Sequence, residues 1–589
     1  MKLNKANVSD YLISRLVEEG VRDVFLLPGG GCMYIVDAIA RNTSLRAIPM
    51  LHEQGVGIAA EAYAQFSGHL GVAIVTTGPG ATNAITPCAA AWTDSTPMIF
   101  ISGQVKTSDN AESFGVRQLG FQEVPIIQMV KPITKLAVKI TSTENLSEVI
   151  EQAISTAVSG RPGPVWLDIP LDIQNASFLA PSNSNRNRIR YKTQSGEDLL
   201  LFCDEVARSL KESERPVIIV GNGVRLSNSL LECENLIRKL NIPVLLTWKM
   251  IDFLDNNDYL NFGRPGNIPQ PWSNIVQENS DLILVLGARM DTGQTAYSLD
   301  SFGKKAKKIV VDIDEFELSK FPDNGNFIKG NFDVADFLPL LTEIVEDDDF
   351  REANWSAWLE ACSNTRDRNQ LVTRSCQDQN CGIDIYDFVS CLSSYLTEKA
   401  IVVPGSSGAC SEVVMQAFKV KLGQRIFNSE GLGAMGFGVP GGLGAAIASR
   451  GERVVVIDGD GGFLMNMQEL ATIKLHQDNV LFFILNNNGY GSIKITQDKY
   501  FDGRRLGTDP SSGLALIDIS QIAKTFGYNH QLWRNAADMK KNILSLLESQ
   551  NTSIVELLIC KNQKTLPKVK VVRSESGELL SADMSNMEF

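Results

Sequence analysis

Short runs of apolar, mostly β-branched residues recur along the chain, and each stops at a turn rich in glycine or proline. Val24-Phe25-Leu26-Leu27 precedes Pro28-Gly29-Gly30-Gly31, and Val72-Ala73-Ile74-Val75 precedes Gly78-Pro79-Gly80. Pro97-Met98-Ile99-Phe100-Ile101 and Val165-Trp166-Leu167-Asp168-Ile169-Pro170 continue the series. Mixed polar and apolar rhythms lie between them, as from Leu146 to Val158. Continuous apolar strands alternating with helices predict parallel sheets covered on both faces. The polar stretch from Ala180 to Asn187 interrupts the pattern and reads as a linker. A second unit starts at Pro216-Val217-Ile218-Ile219-Val220, runs through Ile242–Leu246 and Leu282–Gly287, and closes near Ile309-Val310-Val311-Asp312. An acidic, polar region from Glu343 to Asn380 separates a third unit, which begins at Ile401-Val402-Val403-Pro404 and ends near Ile554–Leu558. The expectation is an α/β protein of three doubly wound parallel-sheet domains at 1–180, 195–345 and 380–560, followed by a polar tail at 561–589.

Composition narrows the classes of function. The length of 589 residues suits three to four domains at roughly 150 residues each. A net charge of −13 and a pI near 5.1 argue against nucleic acid or an anionic membrane as the main partner. The ten cysteines are scattered without a CxxC pair. Cys376, Cys381 and Cys391 come nearest to a cluster, and reduced thiols are favoured over a zinc site or a disulfide framework. The four histidines, His52, His69, His476 and His530, show no metal-binding spacing. The N-terminus lacks an apolar signal core. The charge-poor segments 71–93 and 431–449 are broken by Gly and Pro, whereas a membrane span needs about 20 mostly apolar residues. A cytoplasmic protein acting on small molecules is expected.

The chemistry concentrates at two strand ends in the third unit. Ile457-Asp458-Gly459-Asp460-Gly461-Gly462-Phe463 follows the apolar run Arg453–Ile457, and Leu485-Asn486-Asn487-Asn488-Gly489-Tyr490-Gly491 follows Val480–Leu485. A carboxylate and an amide at adjacent strand ends suit Mg²⁺, which takes about six oxygens and fills its shell with phosphate and water. Glycines there let the backbone approach phosphates closely. The same residues also read as two ordinary turns rich in Asn and Gly.

GDG followed by NN resembles the signature of thiamine diphosphate enzymes. The resemblance implies Mg²⁺ held by Asp460, Asn487 and the carbonyl of Gly489, with the cofactor beside Gly30, Gly459, Gly461, Gly462, Tyr490 and Gly491. Leu51-His52-Glu53-Gln54-Gly55 and Thr76-Thr77-Gly78-Pro79-Gly80-Ala81-Thr82-Asn83 resemble the pyrimidine-binding domain of that family. By that match Glu53 activates the cofactor, because a carboxylate on the aminopyrimidine favours the tautomer that removes the thiazolium C2 proton. On position alone, Glu53 also reads as a helix N-terminal carboxylate favoured by the helix dipole. The family implies a homodimer or homotetramer with the cofactor between subunits.

Over nearly the whole chain the resemblance is to acetohydroxyacid (acetolactate) synthases. It is carried by Gly103–Ser108, Phe121-Gln122-Glu123, Ser159-Gly160-Arg161-Pro162-Gly163-Pro164 and Gly431-Leu432-Gly433-Ala434-Met435-Gly436-Phe437-Gly438. It implies catalytic polar groups at Gln122 and Lys135, and Met435 as the apolar support of a bent cofactor. Met435 also reads as core packing. The middle unit resembles a flavin-binding domain, which implies FAD near Gly221, Gly223, Arg289, Asp291 and Asp312. The group's usual histidine turn reads Gly263-Arg264-Pro265-Gly266 here, and its usual acidic residue near Gly330 reads Asn331. Past Asn487 the group carries Met and Trp in the acceptor pocket, where this chain has Ser492 and Thr496.

The implied activity is decarboxylation of pyruvate and transfer of the two-carbon unit to a keto acceptor, either pyruvate or a keto-deoxysugar nucleotide. The smaller, hydroxylated pocket residues tilt toward the larger acceptor. The absence of a His-His pair favours carboligation over release of acetaldehyde. Tail segments Leu566–Val569 and Gly577–Ser581 resemble synthase-like enzymes of branched-chain sugar clusters, and they also read as a disordered end. A pyruvate oxidase-type flavin enzyme and a non-catalytic homologue are the alternatives.

Overall fold

The computed structural model describes residues 3–181, 196–346, 354–371, 382–477, 479–549, 552–560, 563–573 and 579–589. Most of the linker read after Ala180, with Cys376, Cys381, Gly577 and Glu578, lies outside the described residues. Three parallel sheets flanked by helices carry the molecule. The first runs Arg46–Pro49, Asp23–Leu26, Gly71–Val75, Met98–Gln104, Pro164–Pro170, Leu136–Lys139 in spatial order. The third runs Arg425–Ile426, Ile401–Pro404, Val454–Gly459, Val480–Asn486, Ser553–Leu558, Asn529–Trp533. Numbered within each sheet, both orders read 2-1-3-4-6-5, so the two six-stranded sheets share one connectivity.

The central sheet has five strands and the order 2-1-3-4-5. Its fifth strand, Phe327–Asn331, extends the unit past Asp312, where the apolar pattern had it close. That strand is only partly buried and ends in Lys329, Gly330 and Asn331, so no apolar run announces it. In a sheet of this order the connections diverge between the first and third strands, and ligands settle at such a crevice. Here those strands are Pro216–Val220 and Leu282–Leu286.

The alanine-rich stretch after Glu53 is the helix Glu53–Ser67, capped by His52 at its start and by left-handed Gly68 at its end. It packs against the glycine-rich helix Gly438–Ser449 of the third unit. A Cβ at Gly444 would stand 2.1 Å from the Ala59 carbonyl oxygen, so the composition of both helices follows from their close approach. One apolar core therefore runs from Phe25, Ala59 and Phe100 through Leu443, Val456 and Phe482.

The tail is ordered where it is described. Lys568–Val569 pairs with Met587–Glu588, and Val571–Arg573 pairs with Leu579–Ser581, both antiparallel. Val569 and Met584 sink into the central unit's core, and Asn274 donates to the Met584 carbonyl. The apolar anchors, spaced among polar residues, are why the segment reads as polar yet docks. No helix among the described residues is long and apolar enough to cross a membrane.

Candidate active site

Asp460 and Asn487 follow neighbouring parallel strands, Val454–Gly459 and Val480–Asn486. The strand pairing brings together two residues that the sequence separates. Asp460 is buried, and its oxygens accept from Gly461 N at 3.0 Å and Gly489 N at 2.9 Å. Desolvation pushes its carboxyl up to about 6. Asn487 Oδ1 is buried and has no hydrogen-bond partner. A buried amide oxygen with no donor from the protein is free to accept from a water or to bind an ion. With the Asp460 carboxylate at the neighbouring strand end, it offers the kind of oxygen donor that a hard cation takes. No group of three or more His, Cys, Asp or Glu that could hold a metal ion occurs among the described residues.

The glycines of the motif have different tasks from one another. At Gly459 and Gly30 a Cβ would meet open space, consistent with a backbone left accessible to a ligand. At Gly461 it would meet the Tyr490 ring at 2.4 Å, and at Gly491 the Asn487 amide nitrogen at 2.4 Å. These two are small to seat neighbouring side chains. Gly489, at φ 131°, would place a Cβ 2.1 Å from the Thr508 carbonyl oxygen.

Asp458 has no assigned role in the sequence reading, yet it organises the loop. Added Cβ atoms at Gly405, Gly438 and Gly462 would lie 2.4 to 2.7 Å from its carboxylate. Burial pushes that carboxyl up to about 7. Three glycines far apart in the chain thus converge on one side chain.

Glu53 sits in the first unit, at the start of its helix, with 7% of its surface exposed. Its Oε2 accepts from Asn83 Nδ2 at 2.9 Å. At Gly80 a Cβ would stand 2.7 Å from Thr76 Cγ2, so this glycine makes room for the Thr76 side chain beside Glu53. Gln122 touches the other end of the same loop. Its carbonyl accepts from Thr77 Oγ1, and its φ of 64° is left-handed. Such backbone persists only where the surroundings impose it, and here Gly78 packs directly on the Gln122 backbone. Lys135 is placed differently from the expectation. Its ammonium donates to the carbonyls of Thr156 and Ser159, at the end of helix Leu146–Val158, and burial lowers it to about 8.

Glu469 is a further group that sequence reasoning missed. From the third unit it accepts Leu51 N at 3.1 Å and His52 N at 3.0 Å, just before Glu53. Nothing local in the sequence marks it, because its partners lie more than 400 positions away. Met435 is 42% exposed, so it is not ordinary core packing in one chain. Ser492 and Thr496 lie one turn apart on the exposed helix Gly491–Tyr500, and Thr496 Oγ1 donates to the Ser492 carbonyl.

A cavity of about 300 Å³ lies where all three units meet, at the central sheet's crevice. Gly223, Arg289, Asp291 and Asp312 line it, together with Arg161, Lys249 and Glu430 from around it. Gly221 does not appear in its wall; a Cβ there would strike the Gly287 carbonyl at 2.3 Å, so this glycine serves the crossing of two loops. Burial pushes Asp312 up to about 6, and desolvation beside Asp94 pushes Glu430 up to about 7. Arg289 pairs with Asp291, and Arg161 with Asp314 and Glu317. Asn331, the departure from the usual acid, donates to the carbonyls of Asp312 and Ile313 and so steadies the wall. Arg264, the departure from the usual histidine, is buried and caps the carbonyls of Gln416 and Phe418.

At the cavity wall, Lys249 joins the three units by donating to Gln65, Asp94 and the Asn428 carbonyl, each at 2.8 Å. Glu61, on the helix of Glu53, is fully buried beside this group and is pushed by burial up to about 8, which keeps it protonated at neutral pH.

Family models match along the chain. The N-terminal TPP binding domain of thiamine pyrophosphate enzymes matches residues 6–129, the central domain 203–333 and the C-terminal TPP binding domain 406–557. These matches, on sheets that present Glu53 and Asp460, define a thiamine diphosphate-dependent enzyme. Acetolactate synthase 1, chloroplastic, of Nicotiana tabacum is 31% identical over 572 residues, covering 95% of this chain and 83% of that protein. Acetolactate synthase 2, chloroplastic, of Zea mays is 31% identical over 570 residues, covering 95% and 86%. Acetolactate synthase, chloroplastic, of Arabidopsis thaliana is 31% identical over 572 residues, covering 95% and 82%. The chain belongs to the acetolactate synthase family.

Proposed function

We propose that the chain binds thiamine diphosphate with Mg²⁺, decarboxylates pyruvate and passes the two-carbon unit to a keto acceptor. The observation that carries this reading is the partnerless, buried Asn487 Oδ1 beside Asp460 at the strand ends. Asp460, Asn487 and the Gly489 carbonyl hold the metal. Glu53, oriented by Asn83, holds a proton at the pyrimidine ring nitrogen. When bound, thiamine diphosphate supplies the carbon nucleophile and the electron sink. Met435 would support it on the apolar side, and Gln122 would be a polar residue near the thiazolium. Glu53 and Asp460 belong to different units, and the reading closes the site between two subunits of a cytoplasmic homodimer or homotetramer. Exposed Phe121, at 86%, and Leu506, at 82%, support such a covered surface.

FAD is the proposed occupant of the central cavity. The donors fit it in kind: Asp312 for ribose hydroxyls, Arg289 for a phosphate, and the Asn222–Gly223 backbone at the sheet crevice. Visible flavin absorption of the purified protein checks this, and a colourless protein that takes up no added FAD overturns it.

Ser492 and Thr496 favour a large, hydroxylated keto acceptor over pyruvate. Mass spectrometry of products from pyruvate alone and with a panel of keto sugars tests the function. Acetolactate alone would reduce the reading to acetolactate formation. No ligation product from any acceptor would refute it, and oxygen uptake with pyruvate would replace it with a flavin oxidase. Thr496→Trp is expected to lower kcat/KM for the bulky acceptor by about tenfold or more, the scale on which pocket shape discriminates, with a smaller loss for pyruvate. Equal losses would discredit the pocket assignment.

A further inference from the structure

The loop that follows the strand Val480–Asn486 leaves ordinary backbone conformations at two successive residues. Asn488 has φ 61° and Gly489 has φ 131°. Single residues hold such geometry only when neighbouring groups impose it. Lys494 is one such group. From the helix Gly491–Tyr500 its ammonium donates to the Asn487 carbonyl at 2.7 Å and reaches the Asn488 carbonyl at 3.4 Å. Two consecutive carbonyls are thereby drawn toward one cation, beside the partnerless Asn487 Oδ1. On the other side, Asp460 Oδ2 accepts Gly489 N and closes the loop.

We infer that Lys494 is a positioning residue for the metal, holding the 487–489 loop in the path that presents Asn487 Oδ1 and Gly489 O to a divalent cation. The inference rests on the thiamine diphosphate reading above. It concerns a residue that lies outside the GDG and NN motifs and contributes no ligand atom itself.

Two effects of the ammonium oppose each other, and their signs separate the roles. As a bare positive charge, Lys494 repels a divalent cation, so its removal would lower the Mg²⁺ requirement. As the tie that shapes the loop, it preorganises the ligands, so its removal would raise that requirement. Partners that orient metal ligands typically contribute about 10–100-fold in metal affinity.

The test is equilibrium dialysis of thiamine diphosphate against full-length protein across a Mg²⁺ series, which reads binding without turnover. In Lys494→Met the Mg²⁺ concentration for half-maximal cofactor retention is expected to rise about tenfold. Lys494→Arg, which keeps donors and charge, is expected to recover most of that loss. Lys499→Met removes the same charge from the same helix, where Lys499 lies over the Tyr500 ring. It is expected to leave the Mg²⁺ requirement unchanged. An unchanged or lowered requirement in Lys494→Met, or an equal rise in Lys499→Met, would overturn the inference. If Lys494→Met does not fold by circular dichroism, Lys494→Gln carries the same comparison. Wild-type protein that retains no cofactor at any Mg²⁺ concentration would remove the function reading, and this inference with it.

Discussion

Glu53→Gln is expected to lower kcat by about a hundredfold or more, within the range that a positioned acid–base group contributes, while thiamine diphosphate still binds. Glutamine keeps the shape of the side chain and an oxygen for Asn83 Nδ2, which donates to Glu53 at 2.9 Å. It cannot hold the negative charge that the helix N-terminus favours. Steady-state turnover and cofactor dialysis on the same preparation separate the two effects. Near-normal turnover would remove Glu53 from its role. A parallel loss of cofactor binding would make it a structural residue.

Asp460→Ala is expected to abolish the gain in cofactor retention that Mg²⁺ provides. The substitution deletes the proposed ligand and also strands Gly461 N and Gly489 N, from which the carboxylate accepts hydrogen bonds. Losing a partner outside the ligand set costs about 10–100-fold in metal affinity, and losing a ligand is expected at or beyond the top of that range. Dialysis with Mg²⁺ and with a chelator provides the measurement. If the two give the same cofactor affinity in wild type as in Asp460→Ala, the anchor lies elsewhere.

The strand ends that carry Asp460 and Asn487 were legible because each follows an uninterrupted apolar run, and such runs pair side by side within a sheet. Edge strands were not. Asn529–Trp533 and Phe327–Asn331 are half-exposed and mix polar with apolar residues, so their pattern resembles a loop. Glu53 was legible only through its resemblance to a family, since a carboxylate opening a helix is common. Asp458 stood in plain view inside the motif, but its task depends on glycines at 405, 438 and 462 that only folding gathers. Lys135 shows the converse. The family resemblance implied a catalytic role, while its ammonium donates to carbonyls at the end of a helix. The tail's docking rests on Val569 and Met584, two apolar residues too sparse to form a period.

The close approach of Gly444 to Ala59 bears on what counts as a unit of this protein. The large parallel sheets number three, but the core beneath the Glu53 helix belongs to the first and third together. A fragment cut at the boundary of either sheet would expose the alanine and glycine faces that now touch. The first and third units therefore share one core, interrupted in sequence by the central unit, and a partition of this chain by sheet topology differs from its partition by shared core.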